Sequence, residues 1–450
     1  MKFVVRTGII CLFALAAASW GQESTGEDAF GAIAALLKSP SQTGSSTVPI
    51  SLEDAERIAL QANPEIVVAR RRLAMAQAHV PISRALDDPM AMYRGWGVPL
   101  KKPWDYNAAQ NMFSLSQTFV SRSKRDLRAS VAESDVDQAQ ANLDQVRLDL
   151  AVRVRKAFLG LLLTQDEVRI HEQHVGIAQH AISAARIKYT SGSVPQQDIL
   201  KAQIAMTQLA EHMIRFNRDA EVARAHLNTL LGRSPEELVE LRGEHAVFAP
   251  LPTVDSLITI ASNTRPDLVA ARAAAARSHK EQQLARKAYT PDFTLSAGYM
   301  LMPSGQDFRN SYMVEGSMNL PWLNRKRRDA EIAEAAVKAT EQDAELAALQ
   351  NSVRGQIAEA LAEAQAAQKM ALLYQKQLKP QAEAALQSSV IAYQNNKTGF
   401  LDLLDSQMRV VDLDLAGMQA VGEFDERLAE LEMVTGQTLE NLLHISGEVK

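Results

Sequence analysis

The chain is short of the residues that most often announce a function. It has one cysteine in 450 residues, Cys11, which excludes a disulfide framework and any multi-cysteine zinc or iron–sulfur site. Aromatic residues make up 5%, few for a length whose prior is up to three domains with cores of their own. Charge of neither sign dominates: 48 Lys and Arg stand against 53 Asp and Glu, a net charge of -5, without the basic excess of a nucleic-acid binder. No run approaches the roughly 18 consecutive apolar residues of a membrane-spanning helix, and the mean hydropathy is -0.16. Also missing are a nucleophile–base arrangement, a phosphate-binding glycine loop and a dinucleotide fingerprint. The sequence therefore predicts neither an enzyme nor a cofactor.

What is present begins with an address. Residues 1–21 read as a signal peptide. Lys2 and Arg6 form its basic start, Gly8 to Ala18 is uncharged and mostly apolar, and Ala17-Ala18-Ser19 or Ser19-Trp20-Gly21 offers a small-x-small cleavage site. Cys11 lies within the apolar run behind Ile10, a residue too large for the usual lipidation site, so the mature chain carries no cysteine. Export in a bacterium with two membranes is expected. Residues 22–50 read as a flexible segment around the apolar stretch Phe30 to Leu37.

The mature chain is written twice. Ser51-Leu-Glu-Asp-Ala-Glu-Arg-Ile-Ala-Leu-Gln-Ala-Asn-Pro64 returns as Thr253-Val-Asp-Ser-Leu-Ile-Thr-Ile-Ala-Ser-Asn-Thr-Arg-Pro266, offset by 202. Lys124-Arg125-Asp126 returns as Arg327-Arg328-Asp329, offset by 203, and Tyr189, Asp198 and Leu200 return as Tyr393, Asp402 and Leu404, offset by 204. Landmarks that hold register over so long a stretch mark an internal repeat. The repeats are placed at 51–232 and 253–440, joined by a linker at 233–252 and followed by a tail at 441–450.

Each repeat has the order helix, two short strands, very long helix, turn, helix. Ser51 and Asp54 form a capping-box pattern, and Pro64 and Pro266 break or restart the opening helices. The long helix of copy one is expected over Arg125 to Tyr189. Its Val136, Ala139, Leu143, Val146, Leu150, Val154, Ala157 and Leu161 form a seam close to a 3.5-residue period, with Gly160 and Gly176 as potential breakers. Its counterpart, Arg328 to Tyr393, has Gly355 and Pro380 as breakers and is dense in alanine (Ala333, Ala335, Ala336, Ala339, Ala344, Ala347, Ala348), which permits close helix approach.

The scarce aromatics are concentrated. Windows 89–120 and 291–322 hold 11 of the chain's 24: Tyr93, Trp96, Trp104, Tyr106, Phe113, Phe119, Phe293, Tyr299, Phe308, Tyr312 and Trp322. Phe113, Leu115 and Phe119 alternate with Ser114, Ser116 and Thr118, and Phe293, Leu295, Ala297, Tyr299 and Leu301 alternate with Thr294, Ser296 and Gly298. Tyr312, Val314, Gly316, Met318 and Leu320 repeat the pattern. Period-two runs with one apolar, aromatic face are the mark of outer-membrane strands. Four strands cannot close a barrel, and open edges are not tolerated in lipid, so several chains are expected to share one.

Taken together, the opening segment, the basic cluster after each second strand and the Tyr-x-x-Gly-x-x-x-x-x-Asp turn at Tyr189–Asp198 resemble the TolC family of bacterial outer-membrane efflux proteins over about Ser51 to Leu439. The resemblance implies a mainly α fold with a small β part: long coiled-coil helical hairpins plus four membrane β-strands per chain. It implies a homotrimer whose 12-stranded barrel stands in outer-membrane lipid on an α-helical periplasmic tunnel. It further implies a periplasmic membrane-fusion adaptor and a proton-driven inner-membrane pump as partners, with substrate leaving unchanged. Leu86-Asp-Asp-Pro-Met90 and Leu115-Ser-Gln with Ser123-Lys-Arg125 are similar to the family's metal-efflux branch. That branch's Pro-x-Pro-Gly stretch is absent here, so metal cations and drugs both stay open as cargo.

The turns after the long helices are candidate periplasmic tips. By resemblance, Gly192, Ser193, Val194, Asn396, Lys397 and Thr398 dock the adaptor. Asp402 and Asp405, three apart on one helix face, match entrance rings, and rings of carboxylate favour cations. Tyr393 and Asp198 match a pair that holds the entrance closed, although Thr398 stands where a basic partner is expected. His171, His174 and His180 are read as a solvated helix face and not as a metal site. Two alternatives remain, a periplasmic adaptor and a structural coiled-coil envelope protein; the first lacks two copies with strands, the second needs no aromatic windows.

Overall fold

Each repeat opens on a helix capped by a hydroxyl. The computed structural model describes residues 49–104, 109–190, 192, 195–302, 310–395 and 397–438; the expected signal peptide, nearly all of segment 22–50 and the tail 441–450 lie outside them. Ser51 Oγ accepts the Asp54 N–H at 3.2 Å at the start of α1 (Leu52–Ala62). Thr253 does the same for Ser256 at the start of α5 (Val254–Thr264). Pro64 and Pro266 each occupy the first position of a new helix, α2 (Pro64–Arg84) and α6 (Pro266–Arg286). A proline there forfeits no hydrogen bond, because the first N–H of a helix has no partner within it. Ser51 also belongs to β1 (Ile50–Ser51), which pairs in parallel with β4 (Leu241–Arg242) and ties the start of copy one to the linker.

The long helix of copy one, α3, runs unbroken from Arg122 to Thr190, 69 residues, or about 100 Å. Gly160 and Gly176 do not interrupt it. A glycine costs a helix only about 1 kcal/mol, and the surrounding seam outweighs that. Leu143, Leu150, Val154, Ala157 and Leu161 are buried as the spacing predicts, whereas Val136, Ala139 and Val146 are half-buried. Helix α4 (Gln196–Leu230) returns alongside α3.

Copy two differs. Helix α7 (Arg325–Leu373) passes Gly355 without a break, then a π turn (Tyr374–Leu378) leads into α8 (Lys379–Gln394). Pro380 does not end the helix: the turn before it is widened, which relieves the clash its ring would make in a regular α-helix. Helix α9 (Phe400–Thr435) completes the hairpin. Of the seven alanines expected to pack closely, Ala339 is buried, while Ala333, Ala344, Ala347 and Ala348 are exposed. The reason is position: α2, α3, α6 and α7 lie side by side in that order, so α7 is an edge.

The strands β2 (Met90–Trp96), β3 (Gln110–Phe119), β5 (Phe293–Leu301) and β6 (Asn310–Met318) form one antiparallel sheet in the order β2-β3-β5-β6. Its edges, β2 and β6, coincide with the edges of the helix layer below. Tyr106 and Phe308, expected among the strand aromatics, lie outside the described residues.

Two similar cores join sheet and hairpins at the level of the linker. Ala55 and Ala59 pack with Leu150, Val154, Phe158 and Leu227 in copy one; Leu257 and Ala261 pack with Val353, Ile357, Leu361 and Leu431 in copy two. Arg155 binds across them, to Glu56 on α1 at 2.9 Å and to Glu432 on α9. The linker is held by His245, whose Nδ1 lies 2.5 Å from Asp425 Oδ2 and whose Nε2 lies 3.1 Å from Asp166 Oδ2.

The bond to Asp425 is the largest cause that raises the His245 pKa; burial opposes it and Asp166 adds to it. A raised pKa makes a contribution that is complete below the free-histidine value of about 6.5 and is lost as pH rises through the folded value. Thermal unfolding followed by circular dichroism should therefore show a midpoint that falls above about pH 6.5. His245→Gln should flatten that slope and remove roughly 1–3 kcal/mol at low pH.

Candidate functional site

The sheet's outward surface is built by register. Tyr93, Phe113, Tyr299 and Tyr312 stand directly opposite one another across all four strands, with ring centroids 5.0 Å apart for the first pair and 5.5 Å for the last. Phe119, Phe293 and Met318 form a second row, six residues or about 20 Å further along β3. Between the rows lie Ala91, Leu115, Ala297 and Val314, then Gln117, Leu295 and Gly316, with Gln117 the one polar side chain among them. Tyr312 is 87% and Val314 76% exposed. Trp96 and Trp104 are exposed near one end, and Trp322 near the other. An apolar band between two aromatic rows matches the lipid face of an outer-membrane strand sheet. The opposite face carries Ser114, Ser116, Thr118, Thr294, Ser296 and Ser317, with Thr118 and Thr294 hydroxyls 2.9 Å apart.

At the far end the two hairpins meet. Val175, Ala178, Ile182, Met206 and Leu209 of copy one share a core with Tyr393 and Phe400 of copy two. Gly192 has φ +73°, the left-handed turn residue expected there. Ser193, Val194 and Asn396 lie outside the described residues. Lys397 is exposed, with its backbone N–H on the Ala392 carbonyl at 2.8 Å, and Thr398 is half-buried.

Asp402 and Asp405 are both exposed on the first turns of α9. Asp402 Oδ2 also accepts the Gly399 N–H at 3.3 Å, so one carboxylate of the pair doubles as a cap. Tyr393 is buried and its hydroxyl has no hydrogen-bond partner among the described residues. Burial raises its pKa and the nearby Asp198 raises it further, so Tyr393 and Asp198 are close without being bonded. A basic group reaches Tyr393 from copy one, in place of the one that Thr398 does not supply. Lys188 Nζ lies 3.8 Å above the Tyr393 ring and donates to the Tyr393 carbonyl at 3.2 Å. Sequence reasoning missed Lys188. The signal was its place one residue before Tyr189, the repeat equivalent of Tyr393, because the two tips pack quasi-symmetrically.

The histidines overturn an expectation. His180 is exposed, but His171 is 0% and His174 6% exposed, so these two do not lie on a solvated face. His171 Nε2 bonds the Leu209 carbonyl at 2.7 Å, and burial lowers its pKa. His174 Nε2 bonds Asp414 at 2.9 Å, and Lys379 reaches the same carboxylate at 2.9 Å. Burial alone would raise the Asp414 pKa; these two partners outweigh it and hold it low. No group of three or more His, Cys, Asp or Glu side chains among the described residues is placed to hold a metal.

A sheet with a lipid-type face, carried on hairpins of this length, is the build of an outer-membrane channel subunit with a periplasmic extension. The chain belongs to the outer membrane efflux protein family, whose model matches residues 57–233 and 257–437. It is 22% identical over 409 residues to the cobalt-zinc-cadmium resistance protein CzcC of Cupriavidus metallidurans, covering 88% of this chain and 94% of that one. It is 24% identical over 324 residues to the pyoverdine export outer membrane protein OpmQ of Pseudomonas aeruginosa, covering 69% and 64%. The open-state MtrE outer membrane channel of Neisseria gonorrhoeae superposes with a TM-score of 0.72 at 19% identity, over 86% of this chain and 89% of that one.

Replacing Lys188 by Ala should cost about 1 kcal/mol of cation–π stabilisation, read as a roughly five-fold rise in amide exchange at the Tyr393 turn. Tyr393→Phe, which removes a hydroxyl that has no hydrogen-bond partner among the described residues, should leave exchange unchanged or slower.

Proposed function

We propose that three copies of this chain close one 12-stranded barrel in the outer membrane, on a helical tunnel that conducts substrate out of the periplasm. The carrying observation is the sheet: an apolar outward face ringed by aromatics, with both edges, β2 and β6, unpaired within the chain. The tips around Gly192 and Lys397 are where a periplasmic adaptor docks, and through it an inner-membrane pump supplies the energy. Asp402 and Asp405 face the axis as a cation-favouring entrance, which the Lys188–Tyr393 contact beside Asp198 holds narrow. No residue performs chemistry on the cargo. Cobalt-zinc-cadmium and nickel-cobalt-cadmium resistance proteins and a pyoverdine export protein all stand among the relatives, which supports a duct that takes its specificity from the pump.

Two measurements test this. Unheated, detergent-extracted outer membrane should yield a trimer that dissociates on boiling; a monomer released by osmotic shock overturns the reading. In single-channel recordings, Asp402→Ala with Asp405→Ala should weaken block by multivalent cations and reduce cation preference. Unchanged block would remove the entrance role from these carboxylates while leaving the channel itself standing.

A further inference from the structure

Inside one chain, the joint between sheet and helices is fastened by charge. Lys124, at the start of α3 and 9% exposed, donates to both carboxylate oxygens of Asp292 at 2.9 Å each. This pair ties β3 and α3 of copy one to β5 of copy two. The repeat calls for a matching joint between β6 and α7 of copy two and β2 and α2 of copy one. In a single chain these elements lie at opposite edges of both layers, on the order of 14 Å apart across the sheet.

Unmatched charges sit at those two edges. On the β2 edge, Asp87 and Asp88 are exposed and enter no ion pair among the described residues. On the β6 edge, Arg325 and Lys326 are exposed and likewise unpaired, while Arg327 and Arg328 both bind Glu331. The contrast with copy one is specific. There Arg122 pairs with Asp126 along the helix. Their equivalents are Arg325 and Asp329, but Asp329 accepts the Tyr289 hydroxyl at 2.7 Å instead, and Arg325 is left over. The flanking helices are also unfinished at these edges: Val67, Val68, Met75 and Ile82 of α2 and Val337 of α7 are exposed apolar residues.

We propose that a second copy of this chain is the missing partner: Asp87 and Asp88 of one copy pair with Arg325 and Lys326 of the next. This fastens the seam between copies at the strand–helix junction, as Lys124 and Asp292 fasten the seam within a copy. The inference rests on the shared-barrel reading and adds which charges set the register of the edges. Once the seam closes around them the four groups are desolvated, so a reversed charge costs more than the intact pair contributes.

The test uses the full chain, extracted from the outer membrane and run unheated through a temperature series. Asp87→Lys with Asp88→Lys, and separately Arg325→Glu with Lys326→Glu, should each lower the temperature at which half the trimer dissociates. The four substitutions together should recover most of the loss. A combined variant no more heat-resistant than the weaker of its parents overturns the pairing. So does a loss in Arg325→Glu with Lys326→Glu that follows the anionic phospholipid content of the membrane and is indifferent to Asp87 and Asp88, which would make the basic pair a lipid-headgroup site. A wild-type chain that runs as a monomer sinks the shared barrel as well and is recognised before any variant is made. Because the chain's one cysteine is Cys11, Asp88→Cys with Lys326→Cys gives an independent reading that does not depend on reversed charges. Mild oxidation should give a ladder of covalent dimer and trimer; a lack of cross-linking in an intact trimer overturns the proposal.

Discussion

The backbone polar groups along the edges of β2 and β6 govern the rest of the structure. In hydrocarbon an unpaired N–H or C=O costs several kcal/mol, so a four-stranded sheet with a lipid-type face has no stable existence with its edges open. In the proposed assembly, closure comes from further copies. The helices are bound by the same condition, because α2 and α7 lie below β2 and β6 and close with them. A duplicated chain serves this geometry well: repeats arranged around an axis need similar surfaces at every joint, and duplication supplies them.

Closure also explains how so little aromatic and apolar matter suffices. A helix such as α3 buries one seam inside the protomer and leaves residues such as Val136 and Val146 half-covered. Most of its stability is tertiary, as is general for long helices. At the linker level, Arg155 joins α1 to α9 and His245 joins the linker to α3 and α9. The tips rest on an apolar cluster around Met206, Tyr393 and Phe400 that draws on both copies.

The architecture was legible in the sequence because it rests on periodicity. A 3.5-residue seam and a two-residue alternation are properties of the linear string, and the repeat doubled each signal. Four features were not legible, each for a physical reason. The burial of His171 and His174 depends on α4 and α9, whose residues Leu209 and Asp414 are 38 and 240 positions away. The continuity of the helix through Pro380 depends on a π turn, which has no residue signature of its own. The alanines of α7 do suit close approach, but most of them find no neighbour inside the chain, because α7 is an edge. At the tips, Asp402 and Asp405 were visible through spacing, whereas Lys188 was hidden because its partner Tyr393 comes 205 positions later.

Where the two copies diverge, they divide the work. Copy one has the straight helix, and its basic cluster is neutralised internally by Asp126 and Asp292. Copy two has the π turn in its long hairpin and a basic cluster left partly unspent. A π turn followed by a proline is a point where the helix gives up regular hydrogen bonding. It ends directly before Lys379, whose pairing with Asp414, shared with His174, braces α8 against α3 and α9. The π turn belongs to the hairpin that also carries Asp402 and Asp405, while the copy-one hairpin supplies Lys188. A duplicated chain whose halves were identical would place equal compliance at every joint around the axis and would have no preferred way to open. In the proposed channel, these differences set one hairpin of each copy, with its π turn, apart from the uninterrupted helix of the other.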